Sequence, residues 1–270
     1  MSQDWNSKFF NAFEKIFPPA RPSITELNVY AIEIHKLKEK LKRKLDILIL
    51  GSTVEFIDWA TEENMNITII DYSRDYYSKA CNNLKYKAYS KNFVMAKWEE
   101  MDFNDCFDVI IGDCTIGNIE EAKQEEFITR ASKALRKGGL FLGKNFLMPK
   151  ENNPKDLEYI IKKYNKSYSY CNSFTYMIFD LVILFLENNK INFNKIYEEL
   201  LEMNKKKLLS NEAFEYFIGI KELGEINCNF YIPRVDEYEK MINRYLKIRN
   251  IKYGKEVYSK KFPLYILEKN

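Results

Sequence analysis

Histidine is nearly absent from this chain, and so are the cysteine patterns that mark disulfide or metal sites. Among 270 residues there is one histidine, His35, so reaction schemes that need a catalytic histidine pair are excluded. The five cysteines show neither a CxxC spacing nor a disulfide framework, and no metal-ligand cluster is visible. With no signal peptide at the start, these features predict reduced thiols in a cytoplasmic protein.

A long hydrophobic run is also missing. The most apolar stretch, residues 174–186, is interrupted by Asp180. It is shorter than the roughly 20 apolar residues that a membrane-spanning helix needs, so it predicts a buried helix and no membrane partner. The chain also lacks a large excess of positive or negative charge, because it has 42 basic and 39 acidic residues and a net charge of +3. This near balance gives no general argument for a nucleic-acid partner.

What the sequence does contain is a strand, turn, helix, strand pattern over residues 46–71. An apolar strand over residues 46–50 ends at Gly51, helical spacing follows with Thr53 as its N-cap, and a second buried strand ends on Asp71. Two strands joined by a helical crossover form a parallel βαβ unit, in which ligands bind beyond the carboxyl ends of the strands. Gly51 and Asp71 are both placed at that edge.

The alternation of strands and helices continues to residue 146 and then stops. This pattern predicts an α/β fold with a doubly wound, Rossmann-like sheet. Further strands are predicted over residues 93–96, 107–113 and 140–146, with helices over 73–86 and 120–136, the second one ended by Gly138-Gly139. Later in the chain we expect several helices without a strand over residues 154–220, a helix over 234–248, and a closing antiparallel hairpin of residues 252–258 and 262–267.

The first 44 residues predict two helices that cover part of the sheet. The second helix has Ser23 or Thr25 as its N-cap and runs to about Leu41. Its buried face, from the helical spacing, is predicted to be Ile24, Leu27, Ala31, Ile34 and Leu37. For Arg21, just before this helix, two roles stay open: a purely structural role, or a place in a flap over a cofactor.

This order of elements resembles the class I S-adenosylmethionine-dependent methyltransferases, whose seven-stranded sheet ends in an antiparallel hairpin. The resemblance covers about residues 45–146 and 230–270. It implies a cofactor-binding core formed by residues 45–150 and 230–270. The resemblance does not explain the middle of the chain. There the helical pattern itself predicts a helical insertion after strand five, residues 151–229, as a lid or substrate cap, and the pattern of residues 1–44 predicts N-terminal helices that flank the sheet.

The resemblance implies S-adenosylmethionine as the cofactor and assigns residues to it. The turn Leu50-Gly51-Ser52-Thr53-Val54-Glu55 keeps one of the family's glycines and is similar to a subgroup that reads LG-x-T-x-E. Asp71 matches the acid that binds the ribose hydroxyls, and a carboxylate suits a diol because both of its oxygens accept hydrogen bonds. The implied cofactor-binding residues are Gly51, Ser52, Thr53, Asp71, Tyr72, Trp98, Asp113 and Cys114.

Within this set, Tyr72 and Trp98 are candidates to pack on the adenine, with ordinary core packing as an equal alternative. Asp113-Cys114 begins a loop that resembles the subgroup's GDG-type loop below the sulfonium, where a carboxylate favours the cation; capping of the loop is the alternative role of Asp113. No catalytic residue can be chosen. Candidates for a general base are Asp113, Glu55, Tyr168, Tyr170 and Tyr176, whereas Lys144 is predicted to be a solvated lysine at the sheet edge.

The resemblance therefore implies a cytoplasmic enzyme that methylates a small molecule, and the absence of an NPPY-type motif argues against methylation of nucleic-acid bases. Two alternatives stay open. A non-catalytic methyltransferase-like protein that binds protein or RNA is suggested by the glycine-poor turn and by the lysine-rich residues 36–44 and 205–207. An NAD-dependent dehydrogenase is suggested by the position of Asp71 after Gly51, although the G-x-G-x-x-G pattern is absent.

Overall fold

A twisted sheet of seven strands forms the centre of the computed structural model, which describes residues 18, 21–87, 91–149, 156–165, 171–225, 230–256 and 259–270. Two further strands form a separate small hairpin. The strands are β1 (Asp46–Leu50), β2 (Asn66–Asp71), β3 (Lys91–Met95), β4 (Phe107–Asp113), β5 (Leu135–Lys144), β6 (Leu186–Glu187), β7 (Lys190–Ile191), β8 (Lys247–Lys252) and β9 (Leu264–Glu268).

Helices connect and cover these strands. The described helices are α1 (Ile24–Leu41), α2 (Val54–Glu62), α3 (Arg74–Asn82), α4 (Gln124–Ala134), α5 (Leu157–Asn165), α6 (Cys171–Leu184), α7 (Phe193–Lys205), α8 (Asn211–Glu225) and α9 (Val235–Ile242). Within the described ranges, none of them has the combination of length and apolarity that crossing a bilayer requires.

The sheet has the order β3-β2-β1-β4-β5-β9-β8. The first five strands in this order are parallel, and β9 pairs antiparallel with both β5 and β8. This is the doubly wound sheet with a closing antiparallel pair that the sequence predicts. The chain order reverses between β1 and β4, so the carboxyl ends of these two strands form the topological switch point at which such sheets bind ligands.

Alternating side chains of the strands build a hydrophobic core on each face of the sheet. On one face, Ile47 and Ile49 of β1 pack with α1 and α2, represented by Ile34 and Phe56. On the other face, the intervening β1 leucines pack with α4 and α9. A strand that is buried on both faces needs apolar residues at nearly every position, and this explains why β1 is a continuous apolar run in the sequence.

A third cluster lies in the α5–α8 region, residues 157–225. It consists mainly of side chains from these helices, such as Leu181 and Leu200. Residues outside this region also belong to the cluster, among them Tyr76, in the first turn of α3, and Met148, shortly after β5. The α5–α8 region therefore packs against the edge of the sheet where β2 and β5 end.

Several boundary predictions were wrong for local reasons. Gly138-Gly139 does not end a helix, because α4 stops at Ala134 and β5 starts at the next residue. Gly138 has a φ of +73° and lies where the β4–β5 register shifts. The two glycines therefore belong to an irregular part of β5. Two other boundaries differ less from the prediction. The strand predicted over residues 93–96 is β3, and the helix predicted over residues 73–86 is α3, which ends at Asn82.

The closing hairpin is also displaced from its prediction. The predicted helix 234–248 ends at Ile242, which leaves residues 247–252 to form β8. Of the residues predicted as its first strand, Lys252 ends β8 and residues 253–256 lie in the connection to β9, which contains a short 3-10 turn at Ser259–Lys261. The small β6–β7 hairpin was not predicted; Asn188 and Asn189 make its turn, with φ values of 49° and 62°, as two-residue hairpins require.

The buried face of α1 differs from the prediction at its first turn. Ile24 is 75% exposed, whereas Glu26 and Tyr30 are buried with Ile34 and Leu37. Glu26 turns inward because it forms a capping box: its carboxylate accepts the Ser23 N–H at 2.8 Å, and the Ser23 hydroxyl accepts the Glu26 N–H at 3.2 Å. The first predicted N-terminal helix, before Pro18, lies outside the described residues.

Candidate functional site

Asp71, the last residue of β2, is held by its neighbours at the switch-point edge. Its Oδ2 accepts hydrogen bonds from the Ser52 N–H at 3.0 Å and the Ser52 hydroxyl at 2.7 Å, and its Oδ1 accepts the Ser73 N–H at 2.9 Å. Burial raises the pKa of Asp71, although these hydrogen bonds act in the opposite direction. The Tyr72 N–H also donates to this carboxylate, so hydrogen bonds from residues 52, 72 and 73 together fix the orientation of Asp71 at the end of β2.

The turn after β1 brings a glycine and a tryptophan together. Gly51 has a φ of +82°, which favours glycine, and its N–H donates to the Ile70 carbonyl at 2.9 Å. The Trp98 indole N–H donates to the same carbonyl at 3.0 Å. A Cβ on residue 51 would lie 3.1 Å from the Trp98 ring. The turn therefore has little room for a side chain at residue 51.

Asp113 and Lys144 end the two neighbouring strands β4 and β5 and are register partners. Their charged atoms, Oδ1 and Nζ, lie 3.1 Å apart, outside hydrogen-bond geometry. Burial raises the pKa of Asp113 to about 7; Lys144 acts to lower it, and Glu26 adds to the increase. Burial acts to lower the pKa of Lys144, but the nearby negative groups outweigh it and the pKa rises. The prediction of a solvated Lys144 was wrong, because its side chain is 1% exposed.

The N-terminal segment completes this charged group. Lys144 Nζ donates to Glu26 Oε2 at 2.9 Å and to the Arg21 carbonyl at 3.0 Å, and the Arg21 guanidinium pairs with Glu55 at 2.8 Å. We call Arg21, Glu26, Glu55, Asp113 and Lys144 the charged cluster. It contains three carboxylates and two cations, so with all groups ionised it carries one negative charge in excess.

Several buried oxygen atoms in this cluster have no hydrogen-bond partner. They include Glu26 Oε1, Glu55 Oε2, Asp113 Oδ1 and the hydroxyl of Tyr30. Burial raises the pKa of Tyr30, and Asp113 and Glu26 add to the increase, so this ring is close to both carboxylates. Buried polar atoms are nearly always paired in folded proteins, and such a group of unpaired atoms marks a place for a polar ligand.

Cys114 follows Asp113 in an unusual conformation. Its φ is 49°, and its N–H donates to the Lys144 carbonyl at 2.7 Å. Burial raises the pKa of the Cys114 thiol well above its ordinary value, with a further contribution from Asp113. A thiol in this state is a poor nucleophile at neutral pH.

The structure places the other candidate residues as follows. Thr53 occupies the N-cap position of α2, but its side chain makes no capping hydrogen bond, and Tyr72 is half-buried directly after Asp71. Burial and the nearby Glu256 raise the pKa of Tyr176. The two remaining general-base candidates, Tyr168 and Tyr170, lie outside the described residues.

Glu26 of the cluster and the adjacent Tyr30 were not predicted to belong to the site. The Ser23-x-x-Glu26 capping-box pattern is the one sequence signal that could have indicated that Glu26 turns inward. Tyr30 carries no comparable signal, since a tyrosine on a helix face is ordinarily core packing. Both residues lie on α1, far in sequence from Asp113 and Lys144.

Comparisons with known proteins agree with this fold. Residues 50–139 match the family model of a methyltransferase domain. A crystal structure from Rhodobacter sphaeroides, solved under the name of a Zn-dependent alcohol dehydrogenase, has 13% sequence identity and a TM-score of 0.57, with 98% of this chain and 99% of that one covered. The PH0226 protein of Pyrococcus horikoshii OT3 has 14% identity and a TM-score of 0.54, with 96% and 98% covered. No curated protein sequence matches this chain significantly.

The matched residues begin at Leu50, the last residue of β1, and contain β2 to β4 and the turn, acid and loop described above. The match shows a methyltransferase domain over residues 50–139, and the two solved structures show that the whole chain shares their fold. S-adenosylmethionine is the cofactor that the resemblance implies for such a domain. Two features of the site suit this cofactor: the Asp71 carboxylate is held in place at the end of β2, and residue 51 in the turn after β1 carries no side chain.

Proposed function

We propose that this methyltransferase acts on a small-molecule acceptor bound beneath the α5–α8 region, which serves as its cap. The observation that carries the proposal is the shared hydrophobic cluster: Tyr76, beside the end of β2, and Met148, after β5, both pack with the helices of residues 157–225. A cover that reaches both sides of the switch point encloses the space above β1 and β4. An enclosed site suits a small-molecule acceptor, because most of the surface of a small molecule can be buried in such a site.

Hydrogen bonds tie the chain leaving this region to the loop after β4. The Tyr231 N–H donates to the Gly117 carbonyl at 2.8 Å, and the Ile232 N–H donates to the Asn189 carbonyl at 2.7 Å. Gly117 is only four residues after Asp113. The cap therefore has a fixed connection to the loop beside the transfer site, which supports an enclosed acceptor over one bound at an open surface.

The basic stretch over residues 36–44 gives little support to an RNA acceptor. Lys36 pairs with Glu33, Lys38 with Glu63, and Arg43 with Asp108. In the second basic stretch, Lys206 pairs with Glu202. Since phosphate binding depends on basic groups that can release counterions to the nucleic acid, basic groups engaged in ion pairs favour the small-molecule hypothesis.

In the proposed assignment, Asp71 holds a ribose hydroxyl and the turn from Gly51 to Thr53 receives the amino-acid end of the cofactor. Tyr72 and Trp98 flank the base, and Asp113 and Cys114 lie at the transfer site. When bound, the cofactor supplies an already activated methyl group. The protein's part is then to align the acceptor and exclude water, and alignment alone can be worth about 7 kcal/mol in the best intramolecular models.

The proposal is tested with methyl-labelled S-adenosylmethionine and a cell extract separated into low-mass and macromolecular fractions. Wild-type protein is expected to label the low-mass fraction. Asp71→Ala is expected to lower this labelling at least about tenfold, because a charge-assisted hydrogen bond of about 1.5–3 kcal/mol is lost. The control is Asp75→Ala, four residues away and exposed, which should label like the wild type. Label found only in RNA or protein would refute the small-molecule acceptor.

A further inference from the structure

The loop that follows β4, residues 114–118, is held by its own hydrogen bonds and by the end of β5. The Cys114 N–H donates to the Lys144 carbonyl at 2.7 Å, and the Asn118 side-chain amide donates to the Cys114 carbonyl at 2.9 Å. The Asn118 N–H donates to the Thr115 carbonyl at 3.0 Å. The end of the loop is therefore tied to its beginning, and the loop turns back immediately beyond the strand.

One buried side chain connects the middle of this loop to distant parts of the fold. Asn145, the first residue after β5, is 0% exposed. Its Oδ1 accepts the Ile116 N–H at 3.2 Å, and its Nδ2 donates to the Tyr238 hydroxyl at 3.0 Å. Its own N–H donates to the Pro263 carbonyl at 3.2 Å. Asn145 is therefore a bridge between the loop, α9 and the chain just before β9.

Tyr238 gives this bridge a fixed end. It lies on α9, is 1% exposed, and packs edge-on against Tyr265 of β9 with ring centroids 5.0 Å apart. Burial raises the pKa of Tyr238, so its hydroxyl stays protonated over the physiological pH range. Because a backbone N–H can only donate, the amide oxygen of Asn145 has to face Ile116 and the amide nitrogen has to face Tyr238. The orientation of the amide is thus set by its two partners.

Packing alone does not call for an amide at this position. Both partners of the amide, Ile116 and Tyr238, belong to the hydrophobic cluster that packs between the sheet, α4 and α9. A buried amide is unfavourable unless its hydrogen bonds are made, and leucine has nearly the same size without that requirement. What Asn145 adds to the core is therefore a defined position for the backbone of the loop.

We propose that Asn145 is a positioning residue for methyl transfer, which holds the loop after β4 in place relative to the Gly51 turn. This inference rests on the proposed function, in which Asp113 and Cys114 lie at the transfer site. Ile116 is two residues beyond Cys114, so a displacement of its N–H moves the part of the loop that borders this site. Misplacement of reacting groups by about 1 Å can lower a rate about 100-fold.

The test follows label from methyl-labelled S-adenosylmethionine into total cell extract, with the extract held constant and the donor concentration varied. Asn145→Leu keeps the size of the side chain and removes both hydrogen bonds. Its rate at saturating donor should fall at least about tenfold, while the KM for the donor stays within about twofold, because Gly51 and Asp71 are untouched. Asn145→Asp should restore part of the rate, since a carboxylate accepts hydrogen bonds from both the Ile116 N–H and the Tyr238 hydroxyl.

Tyr238→Phe tests the bridge from its other end. Phenylalanine keeps the ring against Tyr265 and removes only the hydroxyl that anchors Asn145, so the rate should fall about threefold or more. Combined with Asn145→Leu it should cause no further loss, because both changes break the same bridge. The matched control is Thr61→Val, which removes a buried hydroxyl whose hydrogen bond to the Ile57 carbonyl stays within α2. It should leave both the rate and the KM unchanged.

The outcomes separate this inference from the proposed function. If the wild type transfers label to no fraction of the extract, the proposed function fails and this inference fails with it. If the wild type is active and Asn145→Leu and Tyr238→Phe both keep its rate, Asn145 is a core residue only and the proposed function stands. A loss of rate that Thr61→Val shares also refutes the positioning role. If Asn145→Leu does not fold by circular dichroism, Tyr238→Phe alone decides the question.

Discussion

Asp113 is a residue whose ionised form is disfavoured by the fold that surrounds it. In the folded protein burial raises its pKa from 3.8 to about 7. The unfolded chain releases this proton near pH 4, whereas the folded state keeps it. The contribution of Asp113 to stability is therefore full below pH 4, declines as the pH rises toward 7, and stays lost above that.

This linkage predicts that Asp113→Asn stabilises the ligand-free protein at high pH. Asparagine stays neutral, so at about pH 8 the variant should gain about 1–3 kcal/mol over the wild type, whereas at about pH 4 the two should differ little. Urea unfolding at both pH values measures this. Asp102→Asn serves as the control because its side chain is 98% exposed. A loss of stability at pH 8 would show instead that Lys144 depends on the Asp113 charge.

At the scale of residues, sequence reasoning found the groups that lie at strand ends. Gly51, Asp71 and Asp113 follow predicted strands, and the carboxyl ends of parallel strands meet at one edge, so their proximity could be predicted. Glu26 could not be placed there from sequence. It comes to this edge through the packing of α1 on the sheet, a tertiary contact with Lys144 over 118 positions. The burial of Lys144 follows from the same contact.

At the scale of elements, α6 is the helix that joins the α5–α8 region to the sheet unit. Phe179 contacts Phe146 and Phe262, with ring centroids 5.1 and 4.7 Å apart. The next residue, Asp180, pairs with Lys261 and accepts a hydrogen bond from the Tyr164 hydroxyl at 2.7 Å. Asp180 is thus the polar anchor of a helix that otherwise packs through apolar side chains.

We expect Asp180→Ala to loosen α6 without unfolding the sheet. Loss of the carboxylate leaves Lys261 and the Tyr164 hydroxyl without this acceptor, so amide hydrogen exchange in α6 should accelerate about tenfold, while exchange in β1 and β4 stays unchanged. The control is Glu187→Ala, which removes an exposed pair with Lys195 in the same region. Such pairs contribute little, and exchange in α6 should not respond.

Elements were predictable to the extent that their signals were local. The β1, α2 and β4 boundaries agree with the prediction, because each element is a continuous apolar or helical run bounded by a turn residue. Gly138-Gly139 and the strand β8 were misplaced, because a glycine pair suits a helix end and an irregular strand equally well. Pairing with β9, a long-range contact, decides where β8 forms.

At the scale of the whole molecule, the site draws on segments that are distant in the chain. Residues 21–30 supply Arg21, Glu26 and Tyr30, the matched region 50–139 supplies the turn, Asp71 and Asp113, and β5 supplies Lys144. Each segment also belongs to one of the two cores that flank the sheet. A ligand that contacts all of them stabilises their mutual packing, so binding and global stability are coupled.

This coupling predicts a thermal shift that depends on the amino-acid end of the ligand. S-adenosylhomocysteine at about 100 times its dissociation constant adds about 2.7 kcal/mol to the free energy of unfolding. For a chain of this size that corresponds to an increase in melting temperature of about 5–10 °C. Adenosine at the same concentration lacks the amino-acid end and should give a clearly smaller shift in scanning calorimetry. Equal shifts would mean that only the nucleoside is bound, and that residues 21–30 and Lys144 take no part in holding the ligand.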